Sequence, residues 1–193
     1  MRIALNYKEI PFEYIPVNLL KGEQLSEEFT AINPSNSLPC LEIDGIVLCQ
    51  SISILEYLEE TRKQHSLLPE DPIIRATVRR LVGIISCDTQ PIQNLAVLKK
   101  VSEFTDKCAW SNFWINRGLE AFEKVIQKTS GKYSVGNSVT LADVCLIPQI
   151  YNAKRFNVDL SAFPNICRVQ LSLESLPAFR LSIPEKQPDF PNE

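Results

Sequence analysis

The sequence predicts two parts of different class, a small α/β domain followed by an all-helical one. Three observations carry this expectation. Between Phe12 and Gln50 the pattern switches rapidly between short apolar runs and a short helix, with Asp44-Gly45 set between PCLEI and IVLC. After about Pro69 the apolar spacing becomes helical throughout. The stretch between, TRKQHSLLPED, is polar and punctuated by proline. The expected organisation is residues 1–64 as the α/β domain, 65–71 as a linker, and 72–193 as the helical domain.

The elements follow in order. MRIALNY is rich in helix formers and reads as the last two turns of a helix, ended at Lys8 and Glu9 and broken by Pro11. FEYIPVNL is β-like, so a strand is expected over Phe12–Asn18. Ser26–Ile32 reads as a short helix stopped by Asn33-Pro34. Asp-Gly between two apolar runs is a hairpin signal, because both central positions of the tight turn need positive φ. SISILEYLEETR then reads as a helix capped by Ser51, with Ile52, Leu55 and Leu58 on one face.

In the helical half, Asp71-Pro72 is a cap followed by proline at the first helical position, opening a long helix through IIRATVRRLVGIISCDTQ. A second long helix is expected from roughly Ser102 to Lys128. In Thr140-Leu-Ala-Asp143, each of the outer residues can satisfy an orphan backbone donor of the next helix. Pro164 and Pro177 stand where further helices can begin, and IPEKQPDFPNE, with its prolines, reads as a surface tail. No internal repeat is present.

Composition narrows the function classes. With 193 residues, of which 45% are hydrophobic, the chain can bury a substantial core. A net charge of −3, without a basic stripe interleaved with aromatics, argues against a nucleic-acid partner. The apolar runs fall well short of the ~20 residues of a membrane span, and Met1–Leu5 is too short for a signal peptide. Cys40, Cys49, Cys87, Cys108, Cys145 and Cys167 form no CxxC pair, so they read as ordinary buried thiols of a reducing, cytoplasmic setting, with neither disulfides nor metal expected. The single histidine, His65, lies in a polar stretch and reads as a solvated loop residue; triads, dyads and zinc sites need more.

The residues that carry specific chemistry stand in a series: NPSNSLPCLEIDGIVLCQSISILEYLEETR, LLPEDPIIRATVR, QPIQNLAVLKKV, GKYSVGNSVTLADVCLIPQI and NAKRFNVDL. In this order and spacing, over essentially the whole chain, the series resembles the zeta class of the glutathione transferases, whose members include maleylacetoacetate isomerase. The resemblance implies a thioredoxin-like N-terminal domain followed by a helical C-terminal domain, glutathione as cofactor, and a homodimer built through the helices beginning near Pro72 and Ser102. In the family, RIAL lies inside the first helix, preceded by a strand and a serine-containing loop. The expectation is therefore an N-terminally shortened first domain, and no catalytic residue is assigned.

Residue by residue, the resemblance implies the following. Leu38 precedes the family's cis-proline, and its main chain would pair with the cysteinyl unit of glutathione; read alone, Leu38-Pro39 equally fits a trans proline at a strand start. Gln50 and Ser51 would take the γ-glutamyl end, where free N–H groups and the helix dipole favour a carboxylate; simple capping by Ser51 is compatible with this. Gln24 matches a further glutathione contact. Gln90, Asn94, Leu95 and Ala96 match positions that close over the ligand, and Pro91 among them suggests a kinked helix. Arg155 is the candidate for a substrate carboxylate, since a guanidinium grips carboxylates bidentately, although a surface arginine at a helix end would look the same.

Two functions of different class follow. One is a glutathione-dependent cis–trans isomerase for maleylacetoacetate in tyrosine and phenylalanine degradation, with transferase activity on small α-halo acids. The other is a non-catalytic glutathione-transferase-like module acting by binding or dimerisation.

Overall fold

The computed structural model describes residues 1–190; the last three residues of the expected surface tail lie outside them. The described chain forms two compact units, Met1–His65 together with the chain from Pro177, and Ser66–Leu176.

The first unit is built on a small apolar core. Helix α1 (Arg2–Tyr7) buries Ile3, Ala4 and Leu5. Strands β1 (Cys40–Ile43) and β2 (Ile46–Cys49) pair antiparallel, with Cys40 opposite Cys49 and Ile43 opposite Ile46. Asp44 and Gly45 take φ of 53° and 76°, the left-handed pair that a two-residue hairpin turn requires. Helix α3 (Ser51–Thr61) follows at once and buries Ile54, Leu55 and Leu58, with Ile52 only half-buried. Leu5, Ile54 and Leu58 form the core, and Leu41, Ile43, Leu48, Ile10 and Met1 pack against it. Alternation along the hairpin therefore turns Leu41, Ile43 and Leu48 inward and Cys40, Glu42, Val47 and Cys49 to the other face.

Two features of this unit depart from expectation. Phe12–Asn18 forms no strand; among the described residues the sheet is the β1–β2 pair alone. β-propensity reports fit to a pleated, half-buried surface, and without a paired neighbour Ile15 is left 74% exposed. Lys8, which the sequence marks only as the end of a helical run, is fully buried. Its Nζ pairs with Glu59 at 2.5 Å and donates to the carbonyls of Arg62 and Gln64 just past α3. A buried ammonium is tolerated only with such partners. The short helix α2 (Glu27–Ile32) is capped as expected, by Ser26 Oγ accepting from the Phe29 N–H.

The second unit is wholly helical: α4 (Pro72–Ser86), α5 (Leu95–Val101), α6 (Lys107–Thr129), α7 (Leu141–Arg155) and α8 (Pro164–Glu174). Asp71 caps α4 by accepting from the Ile73 and Ile74 N–H groups. α4 packs chiefly on α7 and also on α6, and α6 packs on α8. Gly118 permits part of this closeness: a Cβ there would overlap the side chain of buried Thr89. The expected kinked helix around Pro91 is instead a break. α4 stops at Ser86, Pro91–Gln93 make a 3-10 turn, and α5 starts afresh. The long helix expected from Ser102 starts at Lys107, where Asp106 accepts from the Ala109 N–H.

The box at the start of α7 is closed as expected, the Thr140 side chain meeting the Asp143 N–H and the Asp143 carboxylate meeting the Thr140 N–H. Fully buried Asp143 also accepts from the Thr140 hydroxyl and the Ser134 N–H. Helix α8 begins at Pro164 without a side-chain cap from its own N-cap residue, Phe163. Glu123 of α6 fills that role, its two oxygens accepting from the N–H groups of Asn165 and Ile166 and from the Asn165 amide. Back in the first unit, α9 (Pro177–Leu181) packs on α1, and Arg2 and Asn6 donate to the Ser182 carbonyl and hydroxyl.

Candidate functional site

The open end of the hairpin gathers three of the expected residues. The Leu38-Pro39 bond is cis. The ladder ends at Cys40–Cys49, so Pro39 and Gln50, next in sequence to the paired cysteines, leave the hairpin at the same end, with Leu38 and Ser51 one residue further along the chain. Leu38, Gln50 and Ser51 are all exposed there. The approach to Leu38 is shaped by buried Asn33, whose amide donates to the Ser37 carbonyl while its Oδ1 accepts from Ser35. The sequence marked Asn33-Pro34 only as a helix stop.

The helix start differs in detail from expectation. Gln50, not Ser51, is the N-cap, and Ser51 is the first helical residue. No side chain caps this turn, so its opening N–H groups face water or a ligand at the positive end of the dipole. Gln50 has φ 71° and ψ 120°, a conformation that L-residues rarely adopt. Such strain persists where the surroundings fix it, and it clusters at ligand clamps.

Gln24 lies in the 3-10 turn Glu23–Leu25, and its Oε1 is buried without a hydrogen-bond partner. A buried carbonyl oxygen of this kind costs stability unless a ligand donor or water meets it. An uncapped helix start and an orphaned amide oxygen in one unit fit a ligand carrying both carboxylate and N–H groups, as a γ-glutamyl peptide does.

In the second unit, Gln90 donates to Asn94 Oδ1 at 2.7 Å, and Leu95 and Ala96 open α5; all four are exposed. The run is anchored from below by residues the sequence did not flag. Gln93 and Gln149 are buried and exchange amide hydrogen bonds, and Gln93 also donates to the Thr89 carbonyl. Trp110 donates its indole N–H to the Ile92 carbonyl. Arg155 lies exposed in the last turn of α7, its guanidinium over the Phe156 ring. No carboxylate pairs with it among the described residues. Clefts of about 430 and 400 Å³ line the α4–α6 seam and include none of these positions.

The cysteines are all unbridged, and Cys87 and Cys108 are exposed rather than buried. His65 is half exposed, with Glu9 3.7 Å away. Among the described residues no cluster of three metal-ligating side chains occurs, and no helix is long and apolar enough to cross a membrane.

Comparison with known proteins bears directly on this arrangement. Residues 1–61 match the family model for the glutathione S-transferase N-terminal domain, and residues 93–180 that for the C-terminal domain. The maleylacetoacetate isomerase of Rattus norvegicus is 50% identical over 195 residues, spanning 100% of this chain and 90% of the relative. Among solved structures, a maleyl pyruvate isomerase described as a bacterial glutathione S-transferase of the zeta class superposes with a TM-score of 0.95 at 41% identity, covering 98% of this chain and 93% of that one. The maleylacetoacetate isomerase of Anaeromyxobacter dehalogenans 2CP-1, solved with glutathione in its active site, superposes with a TM-score of 0.90 at 40% identity, covering 98% of this chain and 91% of its own.

Proposed function

This chain belongs to the zeta class of the glutathione transferases, and on that premise we propose that it is a glutathione-dependent isomerase converting maleylacetoacetate to its fumaryl isomer. Its fold is the family's, a thioredoxin-like N-terminal domain followed by a helical C-terminal domain. Glutathione is its cofactor. The observation that carries the proposal is the convergence, at one end of the hairpin, of the Leu38-Pro39 segment and the uncapped start of α3 at Gln50-Ser51.

Each residue then has a definite task. The Leu38 main chain pairs with the cysteinyl unit as an added strand would. Ser51 and the first N–H groups of α3 hold the γ-glutamyl carboxylate, and the strained Gln50 places that turn. Gln24 supplies an acceptor for a ligand N–H. Gln90, Asn94, Leu95 and Ala96 are assigned to ligand contact by the family pattern, with Gln93 and Gln149 as their buried support. Arg155, free of any carboxylate partner among the described residues, is assigned to a substrate carboxylate. Glutathione, held by these residues, would supply a thiolate for reversible addition to and elimination from the activated double bond, which is what cis–trans isomerisation requires. The enzyme acts as a cytoplasmic homodimer in tyrosine and phenylalanine degradation and also accepts small α-halo acids.

The test is the conversion of maleylacetoacetate by the purified chain with and without glutathione. Turnover that requires glutathione, with KM raised at least tenfold in Arg155→Ala, is the expected result. Retention on immobilised glutathione without turnover would replace the isomerase by a binding module.

A further inference from the structure

We propose that Cys40 and Cys49 form a redox-active dithiol, closed to a cross-strand disulfide by exchange with glutathione disulfide. The two residues are directly opposite in the β1–β2 register, and their sulfurs lie 3.5 Å apart. Counting outward from the two-residue turn, Ile43–Ile46 and Leu41–Leu48 are the hydrogen-bonded pairs and Cys40–Cys49 is a non-hydrogen-bonded one. At such a pair the Cα atoms stand ~4.5 Å apart, inside the ~4.4–6.8 Å that a disulfide spans. Closing the bond to ~2.05 Å is then a matter of side-chain rotation.

Access favours the same reading. Both thiols sit on the hairpin face turned away from the Leu5–Ile54–Leu58 core, and both are half-buried, within reach of a small disulfide. Burial, with Cys49 beside it, pushes the Cys40 thiol up to about 11. Cys40 thus keeps its proton at neutral pH and enters as the resolving thiol.

The steps balance. The Cys49 thiolate attacks one sulfur of glutathione disulfide, forming a mixed disulfide and releasing one glutathione thiolate. Cys40 then attacks the Cys49 sulfur, its proton passing to the released thiolate, and the second glutathione leaves. Two thiols lose two electrons and glutathione disulfide becomes two glutathiones. Cys40 directly follows Pro39 and Cys49 directly precedes Gln50, so the closed bond ties together the two segments assigned above to glutathione. That consequence rests on the proposed function; the disulfide itself does not.

The experiment equilibrates the full chain in glutathione mixtures of stepped reduced-to-oxidised ratio, quenches with acid, alkylates and digests. Trypsin leaves both cysteines in one peptide, Gly22–Arg62, which holds no other cysteine. A further cut at Asp44 separates its halves unless they are bridged. The expected result is a peptide that loses two hydrogens, escapes alkylation at both sites, stays joined after the Asp44 cut, and reopens in reduced glutathione. In Cys40→Ser the mixed disulfide at Cys49 should accumulate instead. Alkylation of both cysteines at ratios where exposed Cys87 and Cys108 already carry glutathione would overturn the proposal, as would a mixed disulfide that persists in the unmutated chain. A bridge that forms in a chain without isomerase activity upholds the dithiol and counts against the proposed function alone.

Discussion

At the scale of single residues, Gln50 carries a backbone strain that separates the proposed ligand role from a purely structural one. Its φ of 71° on a residue with a Cβ is of a kind that costs ~1–3 kcal/mol. Glycine adopts such angles freely but loses ~0.5–1 kcal/mol through chain entropy. Gln50→Gly is therefore expected to leave stability unchanged or raise it by about 1 kcal/mol. The same change removes the amide at the proposed γ-glutamyl end, where one lost hydrogen bond weakens glutathione about tenfold. Denaturant unfolding and calorimetric titration of the variant measure the two effects separately. Opposite signs mark a residue kept for its ligand, whereas a loss of both would mean that Gln50 serves only the fold.

At the scale of elements, two tertiary ties replace what a helix or turn lacks. Glu123 caps α8 from another helix, with three donors converging on one buried carboxylate. Glu123→Ala leaves those N–H groups unpaired and should cost about 3 kcal/mol or more in a urea melt. Glu123→Gln should fall between, because its amide nitrogen must face one of the same donors. The hairpin turn is tied differently. The Arg62 guanidinium, and then the Tyr57 hydroxyl, hold the Asp44 carboxyl below its ordinary value of 3.8. A carboxyl depressed in the folded chain stabilises it above the unfolded value, and that contribution fades as pH falls through the folded one. The stability difference between the parent chain and Asp44→Asn should accordingly be flat above pH 3.8 and shrink below it, as paired melts across that range would show. A difference growing toward acid would contradict the assignment. The turn is exposed, so the effect is small.

At the scale of the whole molecule, what could be read in advance was what is encoded locally. Asp71-Pro72, Ser26, Asp44-Gly45, Pro164 and Pro177 each act within a few residues, and the elements begin or turn where they stand. Phe12–Asn18 misled because a strand needs a partner as well as a propensity. The Pro72 helix ended early because the Thr89 hydroxyl takes the Ile84 carbonyl and the chain turns before Pro91. Of the candidate site, Leu38, Gln50 and Ser51 were named by the family resemblance, and read alone they carried only a proline at a strand start and a helix cap. Gln93 with Gln149, 56 residues apart, and Glu123 with Ile166, 43 apart, carry no local pattern. The site as a unit makes a prediction that no single contact makes. A ligand that binds only the folded chain at a hundredfold excess over its Kd stabilises it by about 2.7 kcal/mol. For 193 residues, at ~2–4 °C per kcal/mol, that raises Tm by about 5–10 °C. Glutathione should produce this shift in a thermal melt, and Ser51→Ala should reduce it while leaving the ligand-free Tm nearly unchanged, because Ser51 caps nothing. A ligand-free Tm that falls with the substitution would make Ser51 a structural residue, and an unmoved Tm at saturating glutathione would remove the hairpin end as the binding site.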